Sequence, residues 1–283
     1  MKPTRRAGFV AAALLLGLLC LFVLLGAQKK TLRHFELSEE YDLYFSNTDE
    51  IIAVLHDSLA EHASAVTLRY TAKGDHMNEI SPMIDEMMSL AMYNTTSPVE
   101  GDYIRYQYGG YQLSYGYTEE RGQRVYTVTI QPSYYATLQQ ETQVTERVAS
   151  ILKEMDFGAG TSDYEKIKGI YDYVCNHVSY DHVHAHNSNY HGDSTAYAAL
   201  IKGSASCQGY AVAMYRLLKE VGIENTVVTG TAINEQGEEE FHAWNKVKLN
   251  DEYYNLDATW DAGKEEYSYF MLTDEKFMRH MAD

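Results

Sequence analysis

The sequence predicts an α+β protein: an N-terminal transmembrane helix, a small α+β domain, then a region in which a nucleophile-bearing helix packs on an antiparallel sheet. Three observations carry this. Residues 7–27 are an uninterrupted apolar run. Beyond them, segments with apolar residues at helical spacing interleave with segments that alternate apolar and polar. In the last third, a helix headed by Cys207 is followed by two strand-like runs joined at Asn250-Asp251, a tight hairpin dipeptide. The expected units are residues 1–30, 31–140 and 141–283.

Lys2, Arg5 and Arg6 precede the apolar run, and Gln28, Lys29 and Lys30 follow it. About 20 such residues span a bilayer and exceed a signal-peptide core. Leu25 spoils a cleavage site ending at Ala27, and Leu19 spoils a lipoprotein site at Cys20. The segment therefore reads as a signal-anchor. Lys29, Lys30 and Arg33 nearly balance the basic residues before it, and the terminal amine tips the count. The reading is a membrane-anchored protein with its bulk extracytoplasmic, at the cell surface. A cleaved signal would leave the chain on the same side.

A formal charge of -17 without a basic patch excludes a nucleic-acid partner. Of the three cysteines, Cys20 lies in the apolar run, leaving Cys175 and Cys207. One pair is no disulfide framework, and both are expected free.

In the first soluble unit, residues 32–45 pass from a linker into a strand. Ser46-Asn47-Thr48-Asp49-Glu50 is a helix-start cluster, with Ile51, Ile52, Leu55 and Leu59 on one face behind it. Residues 65–71 read as a strand and 78–92 as a helix with Ile80, Ile84, Met87, Met88 and Ala91 inward. Residues 103–117 and 124–131 alternate about a turn at residues 119–122, as a hairpin does. No catalytic residue cluster occurs here. Met83, Met87, Met88 and Met92 read as core rather than ligands. The tyrosines between 103 and 117 are either strand formers or a sugar- or peptide-binding face.

In the second unit, residues 143–155 place Val144, Val148, Ile151 and Leu152 on one helical stripe. Ser162-Asp163 caps a helix over 164–178, where Cys175 should be packed and inert. His182, His184, His186 and His191 follow in a segment rich in Asn, Ser and Gly. Without companion carboxylates or cysteines of zinc type, it reads as a solvated loop and no metal site is expected. Residues 195–201 form a short helix or turn leading to Gly203. Met214, Leu217, Leu218 and Val221 then recur at helical spacing, and Gly222 ends the helix. Ser206 at the N-cap puts Cys207 in the first turn. There the helix dipole and free N–H groups favour a thiolate, and the same N–H groups can bind an oxyanion. Taken alone, Cys207 is equally well a small core residue.

Residues 226–232 are a strand, and 241–249 with 252–257 form a hairpin about Asn250-Asp251. A two-residue loop sets His242 opposite Thr259 and Asp257 opposite Trp244. Asp257 and His242 then share a face as diagonal neighbours, within about 7–8 Å. Cys207, His242 and Asp257 stand in the order of a thiol acyl-transfer triad: nucleophile, base, and the carboxylate that holds the base's tautomer. Three structural residues would have to coincide in type, order and face to mimic it.

Ser206-Cys207-Gln208-Gly209-Tyr210-Ala211, Phe241-His242-Ala243-Trp244-Asn245 and residues 253–261 (Tyr-Tyr-Asn-Leu-Asp-Ala-Thr-Trp-Asp) resemble the transglutaminase-like superfamily, nearest its membrane-tethered or exported bacterial members. The likeness covers residues 145–275. It implies a papain-like core with the cysteine on a helix and the His and Asp on the sheet. It also implies Tyr180, Gln208, Trp244 and Trp260 as candidates for the oxyanion site or acyl groove. The family includes cross-linking enzymes, proteases, peptide N-glycanases and inactive scaffolds. The implied chemistry is attack of Cys207 on an amide of a protein or peptide substrate through a thioester, with hydrolysis preferred over transamidation because water is always present. No cofactor is required, and no calcium loop is recognisable. A non-catalytic surface binding module that retained the triad stays open.

Overall fold

A computed structural model describes residues 41–44, 48–184, 187 and 189–283. The apolar run, and with it the expected transmembrane helix, lies outside these residues. Among the described residues no helix is long and apolar enough to cross a membrane.

The first half builds a four-stranded sheet backed by two helices. Its elements are β1 (Tyr41–Tyr44), α1 (Thr48–Ala60), β2 (Val66–Ala72), α2 (Ile80–Ala91), the turn α3 (Asp102–Arg105), β3 (Tyr108–Glu120) and β4 (Gln123–Tyr134). The sheet order is β1-β2-β4-β3, parallel only at β1–β2. Leu55 and Leu59 of α1 and Ile80, Ile84, Met87 and Met88 of α2 bury their stripe against Val66, Val128 and Ile130; with Met92 buried in the same cluster and Met83 packed against it, all four methionines belong to this core. The β3–β4 loop is Arg121-Gly122 with φ of 51° and 79°, a two-residue turn whose twist matches the strands. Residues 103–105, read from sequence as strand, are helical. The side chain of Asn94 accepts from the Asp102 N–H (3.0 Å) and pins this turn.

The second half comprises α4 (Leu138–Met155), α5 (Asp163–His177), β5 (Ser179–Tyr180), a π-helical segment (Ala198–Lys202), β6 (Ser204–Ala205), α6 (Cys207–Glu220), β7 (Asn225–Ile233), β8 (Glu239–Leu249), β9 (Glu252–Leu256), the turn α7 (Ala258–Asp261) and β10 (His280–Ala282). Capping boxes start two of these helices: Thr137 with Gln140 on α4, and Ser162 with Glu165 on α5. The first explains why α4 begins ahead of its apolar stripe. The sheet order is β10-β7-β8-β9, wholly antiparallel. Helix α6 is the core's axis, with Tyr210, Val212, Met214, Leu217 and Leu218 all at most 1% exposed. Asn245 of β8 donates to the Ala211 carbonyl (2.9 Å) and fastens the sheet to this helix.

Residues 94–107 dock onto this core. Buried Asp102 accepts from Val227 N–H (3.0 Å) and from the Thr226 hydroxyl, and the Gln107 side chain accepts from Ala196 N–H (2.9 Å). Tyr103 packs in the second core and not in the strand the sequence suggested.

Candidate active site

The start of α6 is held from both sides. β5 and β6 pair in parallel, and Asp181 N–H donates to the Ala205 carbonyl (3.0 Å), which sets Tyr180 beside the approach to Cys207. On the other side Ser206 N–H donates to the Asp193 carbonyl (3.0 Å). Ser206 occupies the N-cap position as expected, but its hydroxyl does not cap; it bonds to Ser194 Oγ (3.1 Å). Gly209 permits the close approach, since a Cβ there would meet the Asp193 carbonyl oxygen at 2.5 Å. Cys207 is 9% exposed and lines a cleft of about 1410 Å³. Cys175 is also a free thiol, but it is 2% exposed with Sγ directed at the Ala258 carbonyl, and burial raises its pKa.

His242 comes from β8, opposite Gly230 of β7. The hairpin has the expected register: Leu249 pairs with Glu252, and Asn250 and Asp251 have φ of 52° and 64°. β9 nevertheless ends at Leu256, so Asp257 is not the ladder partner of Trp244. Its Oδ1 accepts from Thr259 N–H (3.0 Å) and Trp260 N–H (3.1 Å), capping α7 and turning the chain out of the strand. Its Oδ2 accepts from His242 Nε2 (2.9 Å). With Nε2 committed to the carboxylate, Nδ1 is the imidazole nitrogen left free, and His242 and Cys207 line the same cleft.

Burial alone would lower the His242 pKa, but the Asp257 charge and hydrogen bond outweigh it, with a smaller part from Cys207, and the net shift is up to about 10. Burial likewise opposes the charge on Asp257, yet His242, and after it His280, hold its carboxyl well below the usual range. The pair is therefore an ionised, almost solvent-free unit, with side chains 3% and 0% exposed.

The four groove candidates divide. Tyr180 and Trp260 line the cleft. The Trp260 ring lies 5.0 Å from that of His242. Burial first, then the charge at Cys207 and nearby carboxylates, pushes the Tyr180 hydroxyl up to about 12. Gln208 borders the cleft, but its Nε2 donates to the Tyr106 carbonyl and ties α6 to the docked segment. Trp244 is not a groove residue. It is 3% exposed, donates Nε1–H to Asn255 Oδ1 (3.1 Å), and is covered by Phe277 and His280. It shares the His242 face of β8 further along the strand, where the C-terminal segment closes over the sheet.

In the histidine loop Asp181 Oδ2 lies 2.8 Å from His184 Nδ1. His191 stacks on Tyr135 at 4.4 Å, and His186 lies outside the described residues. Among the described residues, the metal-ligating atoms that converge are those of His242, Asp257 and His280, within 4.8 Å of one another. These atoms already bond to each other. His280 was not legible in the sequence, because a lone histidine in a short C-terminal segment carries no spacing signal.

The arrangement can take the proton from the Cys207 thiol, hold the resulting imidazolium against a carboxylate, and present a thiolate at a helix N-terminus to a group in the cleft.

Residues 150–258 match the model of the transglutaminase-like superfamily, a stretch containing all three residues. Kyphoscoliosis peptidase of Mus musculus is 28% identical over 131 residues, 42% of this chain and 18% of that protein. The Homo sapiens protein is 26% identical over 141 residues, 46% of this chain and 20% of that one. The matched part is thus about a fifth of each relative. A solved crystal structure of a TGase aligns at 15% identity with a TM-score of 0.38, over 75% of this chain and 56% of that chain.

Proposed function

We propose, on the premise that this chain carries a transglutaminase-like domain over residues 150–258, that it is a cysteine acyl-transfer enzyme acting on amide bonds of protein or peptide substrates. The observation that carries this is a thiol at a helix start, on a cleft it shares with an imidazole whose Nε2 is fixed by a buried carboxylate. Cys207 gives its proton to His242 Nδ1, and the thiolate attacks the amide carbonyl. The N–H groups of the first turn of α6 stabilise the oxyanion. His242 passes the proton to the departing amine, and the acyl group stays on Sγ as a thioester. Asp257 keeps the proton on Nε2 and offsets the imidazolium charge throughout. A water, deprotonated by His242, then releases the acid. The breadth and polar lining of the cleft, with Asn187, Asn234, Gln236 and Glu238 at its edge, favour water over a second amine as acceptor. The peptidase name of the similar proteins supports a peptide substrate. Tethering through residues 7–27, with the domain outside the cell, completes the proposal.

The test is incubation of the full-length protein with a proteome-derived peptide digest, with and without an added primary amine. Cleaved or deamidated peptides that appear with the wild type but not with Cys207→Ala are expected. Amine incorporation displacing hydrolysis would move the reading to cross-linking. An absence of any Cys207-dependent conversion would overturn it in favour of a binding module.

A further inference from the structure

We propose that His280 is a positioning residue of the site, delivered by the C-terminal strand to donate its Nε2–H to the carboxylate that orients His242. This rests on the reading of Cys207, His242 and Asp257 as the reacting group. Asp257 Oδ2 lies 3.0 Å from His280 Nε2 and 2.9 Å from His242 Nε2. An ionised carboxylate only accepts, so both imidazoles donate through Nε2. Together with Thr259 and Trp260 N–H on Oδ1, each carboxylate oxygen holds two donors, and the group cannot rotate without losing them.

Two further features mark His280 as built for this contact. Its side chain is 0% exposed, stacked on Phe277 at 3.8 Å and within 4.5 Å of the Trp260 ring, ring centre to ring centre. Its Nδ1 is buried with no hydrogen-bond partner among the described residues. A proton on Nδ1 would be a buried, unpaired donor, so the ring is held neutral as the Nε2–H tautomer. Burial, the largest influence, accordingly lowers its pKa despite Asp257. A neutral donor steadies the carboxylate without adding the second positive charge that would compete with His242. Delivery depends on Gly230: β10 pairs with β7 at Ala282 opposite Gly230, and a Cβ there would meet the Met281 carbonyl oxygen at 2.0 Å.

The experiment follows iodoacetamide alkylation of Cys207 against pH in the full-length protein in detergent, read from the mass of the Cys207 peptide. The wild type should react at pH ~6, well below the free-thiol value of about 8.5. His280→Phe keeps the stacking and removes the donor. It should slow the reaction at pH ~6 by about tenfold, the worth of one hydrogen bond to a charged group, and leave the rate at pH ~9.5 unchanged. His280→Gln, which restores a donor, should return to within about threefold of wild type. Gly230→Ala, whose Cβ would collide with the β10 backbone, should also slow the reaction at pH ~6. Wild-type rates in His280→Phe, or a His280→Gln as slow as His280→Phe, would overturn the proposal. If His280→Phe does not fold, nitrogen-15 spectra of histidine-labelled wild type decide: a proton on Nε2 of His280 supports the proposal, and the Nδ1–H tautomer refutes it. A wild type that reacts as an ordinary thiol would instead sink the nucleophile reading on which the proposal stands.

Discussion

Replacing Asp257 by asparagine tests the electrostatics of the site with little change of shape. The amide oxygen of Asp257→Asn can still accept from Thr259 and Trp260 N–H, so the cap of α7 survives. Its NH₂, however, faces His242 Nε2, which must then accept, and the ring's proton moves to Nδ1, the position needed for the thiol proton. The charge is lost as well. In the wild type, His242 stands at about 10 against an ordinary 6.5, even though burial pulls it down. At ~1.4 kcal/mol per pKa unit, the net stabilisation of the imidazolium is about 5 kcal/mol, and the attractions exceed it by the burial they overcome. Asp257 supplies the charge and the hydrogen bond that lead these attractions, so its loss should lower the thiolate–imidazolium population by at least roughly a hundredfold, the equivalent of ~3 kcal/mol. Alkylation of Cys207 at pH ~6 should fall by about that factor and converge with wild type above the free-thiol value of ~8.5. An Asp257→Asn protein that keeps wild-type alkylation at pH ~6 would refute the argument, because no other described carboxylate bonds to His242.

Three other outcomes follow from the same geometry. The cluster should give stability a maximum near neutrality. The raised His242 pKa contributes fully below 6.5 and is lost as pH rises toward about 10. The lowered His280 pKa costs stability as pH falls below 6.5, and Asp257's contribution is lost only below 3.8. In urea titrations across pH, His280→Gln should therefore lose the upper part of the acid limb, and an unchanged limb would contradict the buried neutral ring. Gly209→Ala should destabilise by about 1–3 kcal/mol and slow Cys207 alkylation, because its methyl collides with the Asp193 carbonyl that positions Ser206. Thermal unfolding at wild-type temperature would show that the approach is not tight. Asp102→Ala leaves the Val227 N–H buried without its acceptor and should cost about 1–3 kcal/mol in denaturant unfolding, with unaltered stability counting against the docking contact.

Much of the local structure was legible because it is written in short-range chemistry. The apolar stripe of α6, the cap at Ser162 and the Asn250-Asp251 turn each act within a few residues. The turn fixes the register of the hairpin through Leu256, and Asp257 then meets His242 from the N-cap of α7, one residue beyond the ladder. The misreadings came where polar side chains, not apolar periodicity, set an element's bounds. Asn94 turns residues 102–105 into a helix, and Thr137 with Gln140 extends α4 ahead of its apolar stripe.

What the sequence determined by itself, then, was the set of candidate residues and the elements that carry them, since periodicity, capping and turn geometry are local properties of the chain. Tertiary structure decided which groups meet. It closed the C-terminal strand over Trp244, making that indole core instead of groove, and tied Gln208 to the docked segment. It also brought His280 to the carboxylate already holding His242, a contact between residues 257 and 280. No residue spacing encodes such a meeting, because it depends on strand order and on a glycine in β7 that lets a backbone pass.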